Sequence, residues 1–153
     1  MNPVKTTRSM PMSLLRAREA VMSWFRPMLS KYDVTEQQWR VIRALGESSP
    51  LEAAELAERT SILAPSLTRI IKALVDRKLI TRTKSAGDAR RIKLSITMTG
   101  QRLIDKVSPE ANAIYATLKK QMGAKQYEET LDILEDIAAL GRINNRDAAH
   151  ADE

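Results

Sequence analysis

Pro65, Ser66, Thr68, Arg69 and Lys72 crowd into one short stretch, and Arg82, Asp88, Arg90 and Arg91 follow close behind. Hydroxyls and guanidinium groups at this density are suited to hydrogen-bonding the phosphates and base edges of a nucleic acid. The charge agrees. Between Pro65 and Lys93 stand nine cations, Arg69, Lys72, Arg77, Lys78, Arg82, Lys84, Arg90, Arg91 and Lys93, against only Asp76 and Asp88. That stretch carries +7 of a chain whose net charge is +6, so the remainder is nearly neutral. A field concentrated in this way is the electrostatic footprint of a polyanion-binding surface. The competing explanation is a solvated face that serves solubility, and the local architecture has to separate the two.

Other chemistries are poorly supplied. The 153 residues include no Cys, which removes disulfides, thiolate metal sites and cysteine nucleophiles. The only His is His150, in a polar tail, so a Ser-His-Asp triad or a histidine metal cage is not expected. None of the five Gly residues falls in a phosphate-cradling pattern. Glu52, Glu55 and Glu58 read as a solvated helix face. No stretch approaches the ~20 apolar residues of a membrane span, and Met1 to Met12 holds no long apolar run. The expectation is a cytoplasmic, non-enzymatic protein that needs no cofactor and no metal.

The elements that must position the basic residues follow from periodicity. Residues 1–11 are polar with two Pro and read as a flexible arm. Leu14, Leu15, Val21, Met22, Phe25, Met28, Leu29 and Tyr32 recur at steps of three and four, which predicts a helix over about 12–31 that Pro27 kinks or interrupts. Thr35 with Gln38 forms a capping box ahead of a helix over about 36–46 with Trp39, Ile42 and Leu45 inward. Leu51 to Arg59 reads as a short helix and Thr60 to Ala64 as a turn. Pro65 then opens a helix to about Arg77 with Leu67, Ile70, Ile71 and Leu74 buried. From Leu79 the period becomes two: strands 79–83 and 91–96, joined by the turn-forming Lys84–Arg90 stretch, make a hairpin with a basic tip. Thr97 or Thr99 caps a long helix over 98–122, bent at Pro109, and Gly123 separates it from a last helix to about 143. Residues 144–153 read as disordered.

Two short helices, a Pro-started third and a basic hairpin make a winged helix-turn-helix. The fold class is therefore mainly α with a small β-hairpin wing: a winged helix-turn-helix DNA-binding domain over 35–97 and a helical region from 12–34 and 98–143, to which the resemblance described below gives the role of dimerisation. A helix with an apolar back and a polar front fits the major groove of duplex DNA. Pro65 brings Ser66, Thr68 and Arg69 to the leading end of that helix. Arg69 is the candidate for a bidentate guanine contact, or else a surface Arg that pairs with Asp76 or phosphate. Lys72 suits a phosphate. Thr68 either contacts DNA or bonds back to a helix carbonyl. On the wing, Arg90, with Arg91 next, suits insertion into a narrow A·T-rich minor groove. Asp88 either pairs with Arg82 and stiffens the wing or bonds its own turn backbone.

These residues carry a resemblance. Leu56-Ala57, Pro65-Ser66-Leu67-Thr68-Arg69, Leu79-Ile80-Thr81-Arg82, Asp88-Ala89-Arg90-Arg91, Leu94-Ser95-Ile96-Thr97 and Gly100 together resemble the MarR (multiple-antibiotic-resistance regulator) family of winged-helix repressors over about residues 12–142. The resemblance implies a homodimer joined by the first and the last two helices. The apolar stripes over 12–31, 98–122 and 124–143 fit that role, the alternative being ordinary intramolecular core. Two-fold symmetry then implies a pseudo-palindromic operator with half-sites about one helical turn apart.

Within the family, Leu14–Ala20, Phe25-Arg26-Pro27 and Thr35–Arg43 are similar to a subgroup that represses degradation of homoprotocatechuate (4-hydroxyphenylacetate). That likeness implies an aromatic carboxylic acid as effector. Such a ligand needs an Arg for its carboxylate and an aromatic or apolar slot for its ring, and Arg16, Trp24, Trp39 and Arg43 are the candidates. Trp39 also suits a core position, and Arg16 and Arg43 suit salt bridges. The peroxide-sensing variant of the family needs a reactive Cys, which this chain lacks. An effector-independent architectural DNA binder is the main alternative function, and a winged helix that binds an acidic protein is a third. Polar residues at the groove-facing positions favour the sequence-specific regulator.

Overall fold

The computed structural model describes residues 5–150, with the backbone course alone for Ala89 and for residues 142–150. It divides into two compact units, the first running through Ala111 and the second beginning at Asn112. The helices are α1 (Met10–Lys31), α2 (Glu36–Glu47), α3 (Ala53–Thr60), α4 (Ala64–Asp76), α5 (Met98–Met122) and α6 (Ala124–His150). The strands are β1 (Leu51–Glu52), β2 (Ile80–Ser85) and β3 (Asp88–Ile96), forming an antiparallel sheet in the order β1-β3-β2.

The core of the first unit draws one apolar stripe from each element. Phe25, Met28 and Leu29 of α1 are buried, as are Trp39, Val41, Ile42 and Leu45 of α2. Leu56 of α3 and Leu67, Ile71 and Leu74 of α4 join them, with Leu94 of β3 and Val107 and Ala111 of α5. α1 and the first half of α5 bury side chains in the same unit as the winged helix, because their inward stripes are as apolar as those of α2 and α4.

Local signals set most boundaries. Thr35 accepts from the Gln38 amide at 3.1 Å and the Gln38 side chain accepts from the Thr35 amide at 3.1 Å, the reciprocal box that the spacing predicts. Gly123 takes φ +86 and ends α5. α1 and α5 run through Pro27 and Pro109 as continuous helices, since tertiary packing of a stripe outweighs one missing amide bond. The expected N-terminal arm is shorter than 1–11: Thr6–Arg8 form a single 3-10 turn and α1 starts at Met10, with Pro11 in the first turn where its missing N–H is tolerated. Residues 1–4 lie outside the described residues. α6 likewise continues to His150, into the expected 144–153 tail, as no Gly or Pro follows Gly141 to stop it. Residues 151–153 lie outside the described residues.

The strands depart most from expectation. Leu51, expected in a helix, is buried in β1 opposite Leu94. A two-residue strand is too short to show alternation. β2 and β3 reach further into the wing than 79–83 and 91–96, leaving Ala86-Gly87 at the tip with Gly87 at φ +93. Beyond the core the ribbon is held by main-chain pairing and a few polar side-chain bonds, which have no apolar period to read.

One ion-paired cluster ties α1 to α5. The Tyr32 hydroxyl donates to Glu110 at 2.5 Å, and Lys31 reaches the other Glu110 oxygen at 3.1 Å. Tyr32 and then Lys31 hold the Glu110 carboxyl below its ordinary value of 4.5, while the carboxylate raises Tyr32 above 10.0. A depressed carboxyl contributes stability above its unfolded value, and that contribution is lost as pH falls through the folded one. The thermal midpoint of the wild type is therefore expected to fall more steeply than that of Tyr32→Phe as pH drops below about 4.5. Parallel acid limbs in the two proteins would remove the coupling.

Candidate nucleic-acid interface

α4 presents one buried and one open face. Leu67, Ile71 and Leu74 point into the core, and Pro65, Thr68, Arg69 and Lys72 are exposed, with Ser66 half-buried. Thr68 donates its hydroxyl to the Ala64 carbonyl at 3.0 Å, the back-bonded arrangement, and remains exposed. Asp76 pairs with Lys72 at 3.8 Å rather than with Arg69. Both partners are well exposed, so salt screens the pair and it is worth little. Arg69 has no ion pair among the described residues, and its guanidinium is available to a ligand.

Two arginines fasten this helix, and sequence reasoning assigned a role to neither. Arg40 of α2 donates to the Thr60 carbonyl at 2.7 Å, holding the turn that leads into α4. Burial, followed by the Arg18 charge, lowers the Arg40 pKa, and its Nε is buried without a partner. Thr60 is itself buried, its hydroxyl donating to Leu56 at 2.7 Å. At the other end, Arg77 donates to the Asp33 carbonyl at 2.7 Å and lies 3.5 Å from the Gln38 side-chain oxygen. Arg40 thus fixes the end of α3 from which the turn into α4 departs, and Arg77 ties the C-terminal end of α4 to the α1–α2 turn. The signal available in the sequence was slight: Arg40 lies beside the inward Trp39, and Arg77 was counted among the basic patch.

The wing sorts its charges in the same way. Asp88 accepts from the Arg90 amide at 2.9 Å, the turn-bonded alternative. Among the described residues it makes no ion pair with Arg82, and the register explains why. Asp88 stands opposite Ser85, and Arg82 opposite Leu94. Arg82 and Ser85 are three residues apart, roughly 10 Å along the strand and on opposite faces. Arg91 pairs with Glu52 of β1 at 2.8 Å, so it braces the sheet. Arg90 is exposed without an ion pair among the described residues.

The four effector candidates sit in different surroundings. Trp39 is only 7% exposed, within the core, and Trp24 is 41% exposed on α1. Arg16 is exposed, and Arg43 bonds Glu47 one turn along at 3.3 Å. A cleft of about 550 Å³ lies instead against the α1–α2 turn, lined among others by Arg26, Asp33, Gln38 and Arg77. Glu36, which also lines it, is surrounded by Arg18, Arg26 and Arg40, and Arg26 bonds Glu19 at 2.7 and 2.9 Å, holding that carboxyl below its usual range. Among the described residues there is no metal-holding group of His, Cys, Asp or Glu, and no helix long and apolar enough to cross a membrane.

The chain matches known proteins along nearly its whole length. The MarR family profile matches residues 32–91. Over 139 residues, 91% of this chain and 94% of the relative, it is 37% identical to the homoprotocatechuate degradative operon repressor of Escherichia coli. It is 36% identical over 132 residues, 86% and 90% of the two chains, to the HTH-type transcriptional regulator FarR of Neisseria gonorrhoeae. Among solved structures, NadR in complex with 4-hydroxyphenylacetate is similar at TM-score 0.78 and 35% identity, over 90% of this chain and 98% of that one.

Proposed function

The chain belongs to the MarR family of transcriptional regulators, and on that premise we propose that it represses an aromatic-acid catabolic operon and is released by a small aromatic carboxylate. The observation that carries this reading is the 37% identity, over 91% of the chain, to a repressor of homoprotocatechuate degradation. NadR, whose solved complex holds 4-hydroxyphenylacetate, supports the same ligand class. The protein is not an enzyme. It acts as a dimer, and the exposed Leu15, Val21 and Trp24 of α1 and the exposed Ile133 and Leu140 of α6 offer apolar surface for that association. Its partner is double-stranded DNA with half-sites about one helical turn apart. A cytoplasmic location accords with operator binding.

On the DNA, Ser66, Thr68 and Arg69 read base edges, Pro65 sets the helix start, Lys72 meets phosphate, and Arg90 enters the minor groove with Arg91 behind it. For the effector, Arg16 or Arg43 takes the carboxylate and Trp24 or Trp39 the ring. The ligand acts by favouring a spacing of the two recognition helices that no longer matches successive major grooves; without that differential affinity it shifts nothing. The network of Arg18, Arg26, Arg40 and Glu36 links α1 to the turn before α4 and supplies a path for the shift.

The test is a binding titration on DNA upstream of the protein's own gene, against random DNA, with and without hydroxyphenylacetates and dihydroxyphenylacetates. Selective binding that one acid releases is expected. Selective binding insensitive to every acid would remove the effector assignment, and equal binding to both DNAs would favour an architectural binder. Arg90→Ala is expected to weaken operators with A·T-rich flanks most, since the narrow groove focuses negative potential there. Loss independent of the flanks would withdraw Arg90 from the minor groove.

A further inference from the structure

Leu63 occupies the N-cap of α4, and its side chain is 80% exposed, more than any other large apolar side chain among the described residues. Its carbonyl already accepts the first helical bond, from the Leu67 amide at 2.9 Å. Its side chain supplies no cap. Leu is among the poorest residues at this position, where Ser, Thr, Asp or Asn would bond a free amide. The same chain caps α2 fully with Thr35, whereas α1 and α3, like α4, begin without a side-chain cap bond. Two features thus coincide at one position, an N-cap with no side-chain bond and an unburied leucine, and Pro65 in the first turn removes only one of the free amides. Such local rule-breaking is expected where function competes with stability.

The position says what the function is. Leu63 immediately precedes the exposed face of Pro65, Thr68 and Arg69, and the leading residues of a recognition helix are those that meet base edges. Around it the exposed residues are the small apolar Ala64 and Pro65 and the polar or cationic Thr68, Arg69 and Lys72, so Leu63 is the one large apolar side chain there. In the major groove, the C5-methyl of thymine is the distinctive apolar group on the base edges. We infer that Leu63 is a specificity-determining contact that reads a thymine methyl in each half-site, so its apolar surface is left open in the free protein and is covered by DNA. The inference rests on the reading of this chain as a sequence-specific DNA-binding regulator and extends it to a residue outside the polar recognition set.

The experiment uses the full chain and a duplex enriched by the protein itself from a random pool. Each thymine of the half-site is replaced in turn by deoxyuridine, which removes only the methyl. The wild type is expected to lose about fourfold per half-site at one thymine position, the increment of one buried methyl. Leu63→Ser is expected to bind thymine and uracil operators equally. Because serine supplies the missing cap, this variant is also expected to melt no lower than the wild type. A wild type indifferent to uracil at every position overturns the assignment. So does a Leu63→Ser protein that keeps the uracil penalty, which would give the methyl to Thr68 or another side chain. Failure to enrich any sequence overturns the DNA-binding reading itself, and this inference with it.

Discussion

Gly100→Ala is expected to lower the thermal unfolding midpoint by roughly 10 °C, the shift that about 3 kcal/mol produces in a chain of this size. A Cβ at position 100 would lie 2.2 Å from the Leu79 carbonyl oxygen and 2.6 Å from Ile96 Cδ1. The carbonyl cannot yield. It accepts from the Thr97 amide at 3.1 Å and lies 2.9 Å from the Thr97 hydroxyl, which in turn accepts from the Gly100 amide at 3.0 Å. Thr97 therefore caps α5 and stitches it to the entry of the wing in one motif, and Gly100 is the position that lets the two backbones approach. Gly141→Ala is the control, since a Cβ there meets nothing within 4 Å and alanine favours a helix interior. Equal midpoints for the two variants would refute the close approach.

Arg69→Ala is expected to reduce operator affinity by about 1–3 kcal/mol per half-site and to relax preference at one base position. Two half-sites in a dimer make the total loss about 2–6 kcal/mol, while random DNA loses far less. The case rests on what Arg69 does not do. Asp76, its nearest candidate partner by spacing, is paired with Lys72, so the guanidinium is not held within the protein. Arg69→Lys separates the two chemistries. A lysine keeps a phosphate contact but cannot make the bidentate fork that guanine takes. If lysine restores affinity and specificity, or if operator and random DNA suffer alike, Arg69 is a backbone contact and the base readout lies elsewhere on α4.

The helices and the wing were legible because their signals are local. A stripe at steps of three and four, a Thr-Gln box and a Gly that ends a helix each involve residues within a turn or two of one another. The outer half of the wing was not legible, because Lys84 and Ser85 pair with β3 across a register shift and show no apolar alternation. The extra helical length at both ends of the chain was missed for a related reason: polar residues without Gly or Pro permit a helix without announcing one.

The sequence by itself determined the element order, the basic concentration on one helix and one hairpin, and hence the class of partner. Charge adds up along a chain wherever the residues sit, so a count suffices for that. Which cations remain available was decided only by tertiary structure. Arg77 is bonded to a carbonyl 44 residues away and Arg91 is held by Glu52, while Arg69 and Arg90 are exposed. Arg40, outside the basic stretch altogether, became the brace of the recognition turn. An ion pair or a clash exists only within a few ångströms, and such distances between residues far apart in sequence are set by folding.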